Sequence, residues 1–152
     1  MDITKLNLKI DKNSKLNDLY LQFQKLLSEL RKKELSDTLV SSINKDIEAL
    51  QLTTTSENTL KKQIKTLQTR VIKNVEKASK IVPKNYYRNQ WLALGMAVFG
   101  IPIGVVFGLS MGNMAFLGIG LPIGMAIGTA IGASMDKKAL NEGRQLDIDI
   151  KF

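Results

Sequence analysis

The sequence predicts a mainly α-helical protein: an antiparallel helical hairpin or coiled coil, then a two-helix transmembrane hairpin, with a short β-strand at each terminus. Three observations carry that expectation. Residues 91–135 hold no charged residue. Two amphipathic stretches with apolar residues at three- and four-residue spacing precede them. The formal net charge of +8 is confined to residues 59–90, which carry nine basic residues and one acid, Glu76; residues 1–58 carry nine of each sign and residues 136–152 four of each.

Residues 1–13 form the first segment. Leu6, Leu8 and Ile10 alternate with Asn7, Lys9 and Asp11, the period of a half-buried strand. Leu146, Ile148, Ile150 and Phe152 repeat that alternation at the other end. Lys5 and Lys9 on one polar face and Asp147 and Asp149 on the other suit pairing of the two terminal strands, since opposite charges across a strand pair attract.

Residues 14–82 are the helical segment. Ser14 is a candidate N-cap. Leu16, Leu19, Phe23, Leu26 and Leu30 follow one helical face, the pattern slips at Leu35, and it resumes at Leu39, Ile43, Ile47 and Leu50. The slip is either a stutter in one helix or a break with Ser36 as a new cap. TTTSEN at 53–58 is a linker, because these residues favour turns. Leu60, Ile64, Leu67, Val71, Val75, Ala78 and Val82 form a second stripe, as in a helix packed on another helix. Pro83 stops or kinks it.

Residues 83–90 read as a basic, aromatic interfacial linker. Tyr86, Tyr87, Arg88 and Trp91 combine amphipathic rings with a cation, the composition of a headgroup layer. Residues 91–135 follow as two apolar runs of 21 residues, Trp91–Met111 and Ala115–Met135, broken at Gly112–Met114. Each spans about 31 Å as a helix, against a hydrocarbon core of about 30 Å. Lys73, Lys77, Lys80, Lys84 and Arg88 precede the first run, Lys137 and Lys138 follow the second, and the break has no basic residue. The positive-inside rule then places both termini, including the C-terminal strand segment 136–152, in the cytoplasm. The basic segment is expected to meet anionic headgroups, at about 1 kcal/mol per residue near the surface. Nucleic acid is not the expected partner, because the charge abuts a span and the helix carries no aromatics.

Ten of the eleven glycines lie between 95 and 132. Gly100, Gly104, Gly108 and Gly112 stand four apart, as do Gly120, Gly124, Gly128 and Gly132. In a helix, residues four apart share a face, so each run has a row without side chains along which backbones can approach. GIPIGVVFG (100–108) and GLPIGMAIG (120–128) are repeats, with Pro102 and Pro122 expected to kink their helices near the bilayer midplane. These eight glycines and two GxPIGxxxG units resemble the bacterial glycine-zipper proteins with a two-helix transmembrane hairpin, over about a quarter of the chain. The resemblance implies self-packing; the glycine faces and the basic flanks lead to the expectation of a homo-oligomer in the cytoplasmic (inner) membrane.

Histidine and cysteine are absent, which excludes imidazole bases, thiolate nucleophiles and Cys/His metal sites. No phosphate-binding or dinucleotide motif is present. The chain is therefore expected to be no enzyme and to use no cofactor. The favoured function is a small membrane effector or pore-forming subunit that assembles through its glycine faces, toxin-like or antiviral by analogy. The alternative is a membrane-anchored scaffold whose coiled coil recruits a cytoplasmic protein.

Overall fold

The computed structural model describes residues 2–7, 15–52 and 56–150. It is mainly helical, with one small two-stranded sheet. The chain divides into two compact units, residues 1–83 with 146–152 and residues 84–145.

The first unit contains helices α1 (Lys15–Arg31), α2 (Asp37–Gln51) and α3 (Glu57–Ser79). The slip at residues 31–36 is a break. α1 tightens as it ends, with Lys32 and Lys33 amides donating to the Glu29 and Leu30 carbonyls. Ser36 stands at the N-cap of α2, its carbonyl accepting from the Leu39 and Val40 amides. The stripes read from sequence meet as a core: Phe23, Leu26 and Leu30 on α1, Ile43 and Ile47 on α2, and Ile64, Val71 and Val75 on α3 are all buried. α3 packs on both other helices, so this part has three helices where a two-helix hairpin was expected. α3 ends at its C-cap Lys80, whose amide still donates to the Glu76 carbonyl and whose backbone then turns left-handed (φ 55°).

The strand expectation is corrected at one end. β2 (Gln145–Asp149) pairs with β1 (Val82–Lys84), and among the described residues not with the N-terminal residues 2–7. The alternation itself is present in β2, where Leu146 and Ile148 are buried and Asp147 and Asp149 exposed. Residues 2–7 belong to no helix or strand. Their buried residues, Ile3 and Leu6, are three apart. Their carbonyls accept from side chains of α1 and α2 instead of a neighbouring strand. A segment whose carbonyls are already satisfied has few acceptors left for a ladder. Leu8, Ile10, Ser14, residues 53–55 of the linker and Phe152 lie outside the described residues.

The second unit is a helix pair. Its first arm starts at Tyr86, not at Trp91: α4 (Tyr86–Gly95) continues through a π-helical turn (Met96–Gly100) into α5 (Ile101–Ser110). The interfacial linker expected at 83–90 is thus a strand end and a first helical turn. After Gly112, which is left-handed (φ 65°), the Asn113 side chain accepts from the Ala115 amide at 2.9 Å and starts a 3₁₀ turn, Met114–Phe116. α6 then runs from Leu117 to Asn141. Asp136, Lys137 and Lys138, read as the start of a strand segment, are its last turns.

Candidate functional site: a glycine-lined helix pair

The glycine rows bring the two arms into backbone contact. Gly100, Gly104, Gly108, Gly120, Gly124, Gly128 and Gly132 are all buried. A Cβ on Gly124 would lie 2.5 Å from the Gly95 carbonyl oxygen and 2.6 Å from the Gly100 Cα. On Gly132 it would lie 2.5 Å from the Arg88 Cα, and on Gly100 3.0 Å from the Gly120 oxygen. On Gly104, Gly120 and Gly128 it would overlap the Leu117, Gly100 and Trp91 carbonyl oxygens. On Gly108 it would face the Met114 sulfur at 3.2 Å. Gly112 is not part of this surface: it sits in the turn, and a Cβ there would have nothing within 4 Å, as would one on helical Gly118.

Gly95 takes the place that Gly112 was expected to fill. It is buried, and a Cβ there would lie 2.7 Å from the Gly128 Cα. Gly95 stands five residues before Gly100, and five residues of regular α-helix leave the two about 140° apart. The π turn absorbs the extra residue, its closing bond running from the Ile101 amide to the Met96 carbonyl. That turn also precedes Pro102, which has no N–H and crowds the carbonyl four residues back. Pro122, in the matching repeat, lies inside an unbroken α6. The two prolines therefore act differently: one follows a changed helical register, and the other is accommodated.

The second row has a fifth member. Four residues after Gly132 comes Asp136, 7 % exposed. Its Oδ1 accepts from the Tyr87 amide at 3.1 Å and its Oδ2 from the Arg88 amide at 2.9 Å. The residue at the N-cap of α4, Asn85, makes no side-chain cap. α4 is thus capped from the opposite helix by a carboxylate, which also complements the positive end of the helix dipole. The sequence signals were present: a four-residue step from Gly132 to Asp136, and a glycine five before Gly100.

The apolar side chains point away from the contact. Val98, Ile101, Val106, Leu109 and Met111 are each about half exposed or more. Two helices, Tyr86–Ser110 and Met114–Asn141, are long and apolar enough to cross a membrane, and only 22 % and 17 % of their most apolar stretches are buried. The residues expected at headgroups divide by exposure. Lys84, Arg88, Lys137 and Lys138 are exposed, Tyr86 and Trp91 half-buried, and Tyr87 buried. The Tyr86 and Tyr87 rings meet edge to face, 5.3 Å between centroids. Lys73, Lys77 and Lys80 are exposed on or just beyond α3 in the other unit. Comparison with protein families, with curated proteins and with solved structures finds no match for this chain.

Proposed function

We propose that this chain is an integral membrane protein whose helix pair is a self-closed bilayer anchor and whose helical unit recruits a cytoplasmic protein partner. The observation that carries the reading is the inverted burial of the second unit: glycines inside, large aliphatic side chains outside. Such a surface suits lipid, where packing of small residues replaces the hydrophobic drive between helices. Basic residues flank the pair at one end, Lys84 and Arg88 on one arm and Lys137 and Lys138 on the other, and none lies at the Met111–Met114 turn. This asymmetry favours cytoplasmic termini in an inner membrane, with the cations against anionic headgroups.

The glycine rows of the zipper, read from sequence as two faces, meet each other within one chain. Seven of the eight zipper glycines face the opposite arm, leaving Gly112 outside the contact. This supports anchoring over assembly through glycine faces. The second reading is a homo-oligomeric effector or pore, favoured by the π turn ahead of Pro102 within the first apolar helix. Helix interruptions at membrane depth can mark an ion path. Assembly would then use the outer aliphatic faces.

Reconstitution of the full chain in anionic-lipid vesicles tests both readings. The anchor should resist alkaline extraction, leave trapped dye inside and retain a stoichiometric partner when drawn from native membranes through residues 2–83. Release of dye at moderate protein density replaces it with the pore. Complete release of the protein by alkaline carbonate ends both.

A further inference from the structure

The N-terminal segment 2–7 is held by side chains of α1 and α2. Every backbone carbonyl from residue 2 to residue 6 accepts a hydrogen bond from a side chain. The Asp2 carbonyl accepts from Asn44 Nδ2 at 3.0 Å, and the Ile3 and Thr4 carbonyls from the Arg31 guanidinium at 2.9 and 3.0 Å. The Lys5 carbonyl accepts from Gln51 Nε2 at 3.1 Å, and the Leu6 carbonyl from both Tyr20 Oη at 2.8 Å and Gln24 Nε2 at 3.1 Å. On the donor side, the Thr4 amide reaches Asn44 Oδ1 at 2.7 Å. The clamps come from both α1 (Tyr20, Gln24, Arg31) and α2 (Asn44, Gln51). Along the segment they step down α1 and up α2. Asn44 reads the chain on both sides of Ile3, as an amide side chain can when it has a donor and an acceptor in one plane.

Backbone contacts of this kind do not depend on the identity of the side chains they hold. Selectivity rests on two anchors, Ile3 and Leu6, which are 4 % and 1 % exposed while Asp2, Thr4, Lys5 and Asn7 point to solvent. Main-chain hydrogen bonds for affinity with a few side-chain pockets for specificity is the logic of extended-peptide recognition. The resident segment also leaves space. A cavity beside it is lined by Leu6, Leu21, Gln24, Leu27, Ser28 and Arg31, and Leu21 is half exposed. Four of its carbonyl and amide bonds are exposed to solvent, and solvent-exposed backbone hydrogen bonds are the ones that open at low cost.

We propose that the surface of α1 and α2 that holds residues 2–7 is a docking site for a peptide segment of a partner protein carrying two aliphatic side chains three residues apart, and that residues 2–7 are its tethered, displaceable occupant. Recruitment then requires the partner to outcompete a self-ligand held at high effective concentration. The inference deepens the recruitment reading, on which it rests, by naming the partner's chemistry, and it does not depend on membrane insertion.

The test uses the full chain in detergent and a fluorescent peptide with the sequence of residues 1–7. The variant Ile3→Asp/Leu6→Asp disables the tethered copy and should bind the peptide at least tenfold more tightly than the wild-type chain. Adding Arg31→Ala should reverse that gain, and a Leu6→Asp peptide should not bind. Equal binding by wild type and variant overturns the proposal, as does no binding by a variant that keeps its helical circular dichroism. Should the variant lose its helices, hydrogen exchange on the wild type decides. Excess peptide should speed exchange of the Thr4 amide and leave α3 unchanged; an unchanged Thr4 rate overturns the proposal. Vesicle extraction is unaffected by either result, so failure here is distinct from failure of the anchor.

Discussion

The two units of this chain solve helix packing in opposite ways. In the first, leucine, isoleucine and valine fill the space between helices and charges cover the outside. In the second, glycines let backbones touch and the aliphatic side chains cover the outside. One core depends on volume being present and the other on volume being absent. The same substitution therefore has opposite meanings in the two places, and that contrast can be broken by experiment.

The largest effect is expected in the first unit. Phe23 is fully buried, and Phe23→Ala should destabilise that unit by about 3–5 kcal/mol through lost burial and a residual cavity. Chemical unfolding of the chain in mild detergent, followed by circular dichroism, measures it. The second unit reverses the logic. Gly128→Ala places a methyl group against the Trp91 carbonyl and the Gly95 Cα, where neither backbone can yield cheaply. A loss of about 1–3 kcal/mol or more is expected. Gly118→Ala is the internal control: nothing lies near its Cβ position, and alanine is the better helix former by about 1 kcal/mol. If both substitutions behave alike, the glycine contact is not what holds the pair.

Much of this contrast could be read from the residues alone. Four-residue steps of glycine and the leucine stripes are local periodicities, and a helix converts them into faces with no further information. What escaped was set by partners far along the chain. Gly95 joins its row only because a π turn changes the register before Pro102. Asp136 looked like the first charge beyond a span, yet it is buried where the first turn of α4 presents the Tyr87 and Arg88 amides to it. Residues 4–11 alternate like a strand, but the donors that claim the segment's carbonyls come from positions 14 to 46 residues away. β2 was legible by its alternation and its partner was not, since Val82–Lys84 is too short to carry a pattern.

Asp136 links the two styles: a charged group inside the glycine interface. Asp136→Asn keeps the shape and one acceptor while removing the charge and the second acceptor. A loss of about 1–2 kcal/mol is expected, as for removal of an N-cap, together with faster exchange of the Tyr87 and Arg88 amides. Unchanged exchange at those two amides would remove Asp136 from its capping role. The converse irregularity lies in the first unit. Gln68 is 2 % exposed, and among the described residues its side-chain oxygen has no hydrogen-bond partner. A buried unsatisfied group is costly to keep, so Gln68→Leu should stabilise by about 1 kcal/mol, read as a higher denaturant midpoint at unchanged slope. Destabilisation would mean that Gln68 serves the unit in some way other than packing.

The smallest effect separates the units by pH. Glu29 accepts from Lys32 Nζ at 2.5 Å and from the Asp147 amide at 3.3 Å. The lysine hydrogen bond, opposed by partial burial and reinforced by the β2 amide, holds its carboxyl below the ordinary glutamate range. A group whose folded pKa lies below its unfolded value stabilises the fold at pH values above the unfolded pKa. That contribution fades as pH falls through the folded pKa, because the unfolded state then binds the proton first. The first unit should therefore lose stability on the acid side of the glutamate range, and Glu29→Gln should flatten that limb, its small cost present near neutrality and vanishing in acid where the wild-type carboxyl is protonated in both states. The effect is small because Lys32 is largely solvent-exposed and such pairs are screened. Glu29 belongs to the first unit, so acid should loosen β2 from α1 before it affects the glycine contact. Amide exchange at Asp147 that accelerates in acid ahead of exchange along α6 is the expected pattern. Simultaneous acceleration would show that the two cores, built on opposite principles, nonetheless unfold as one.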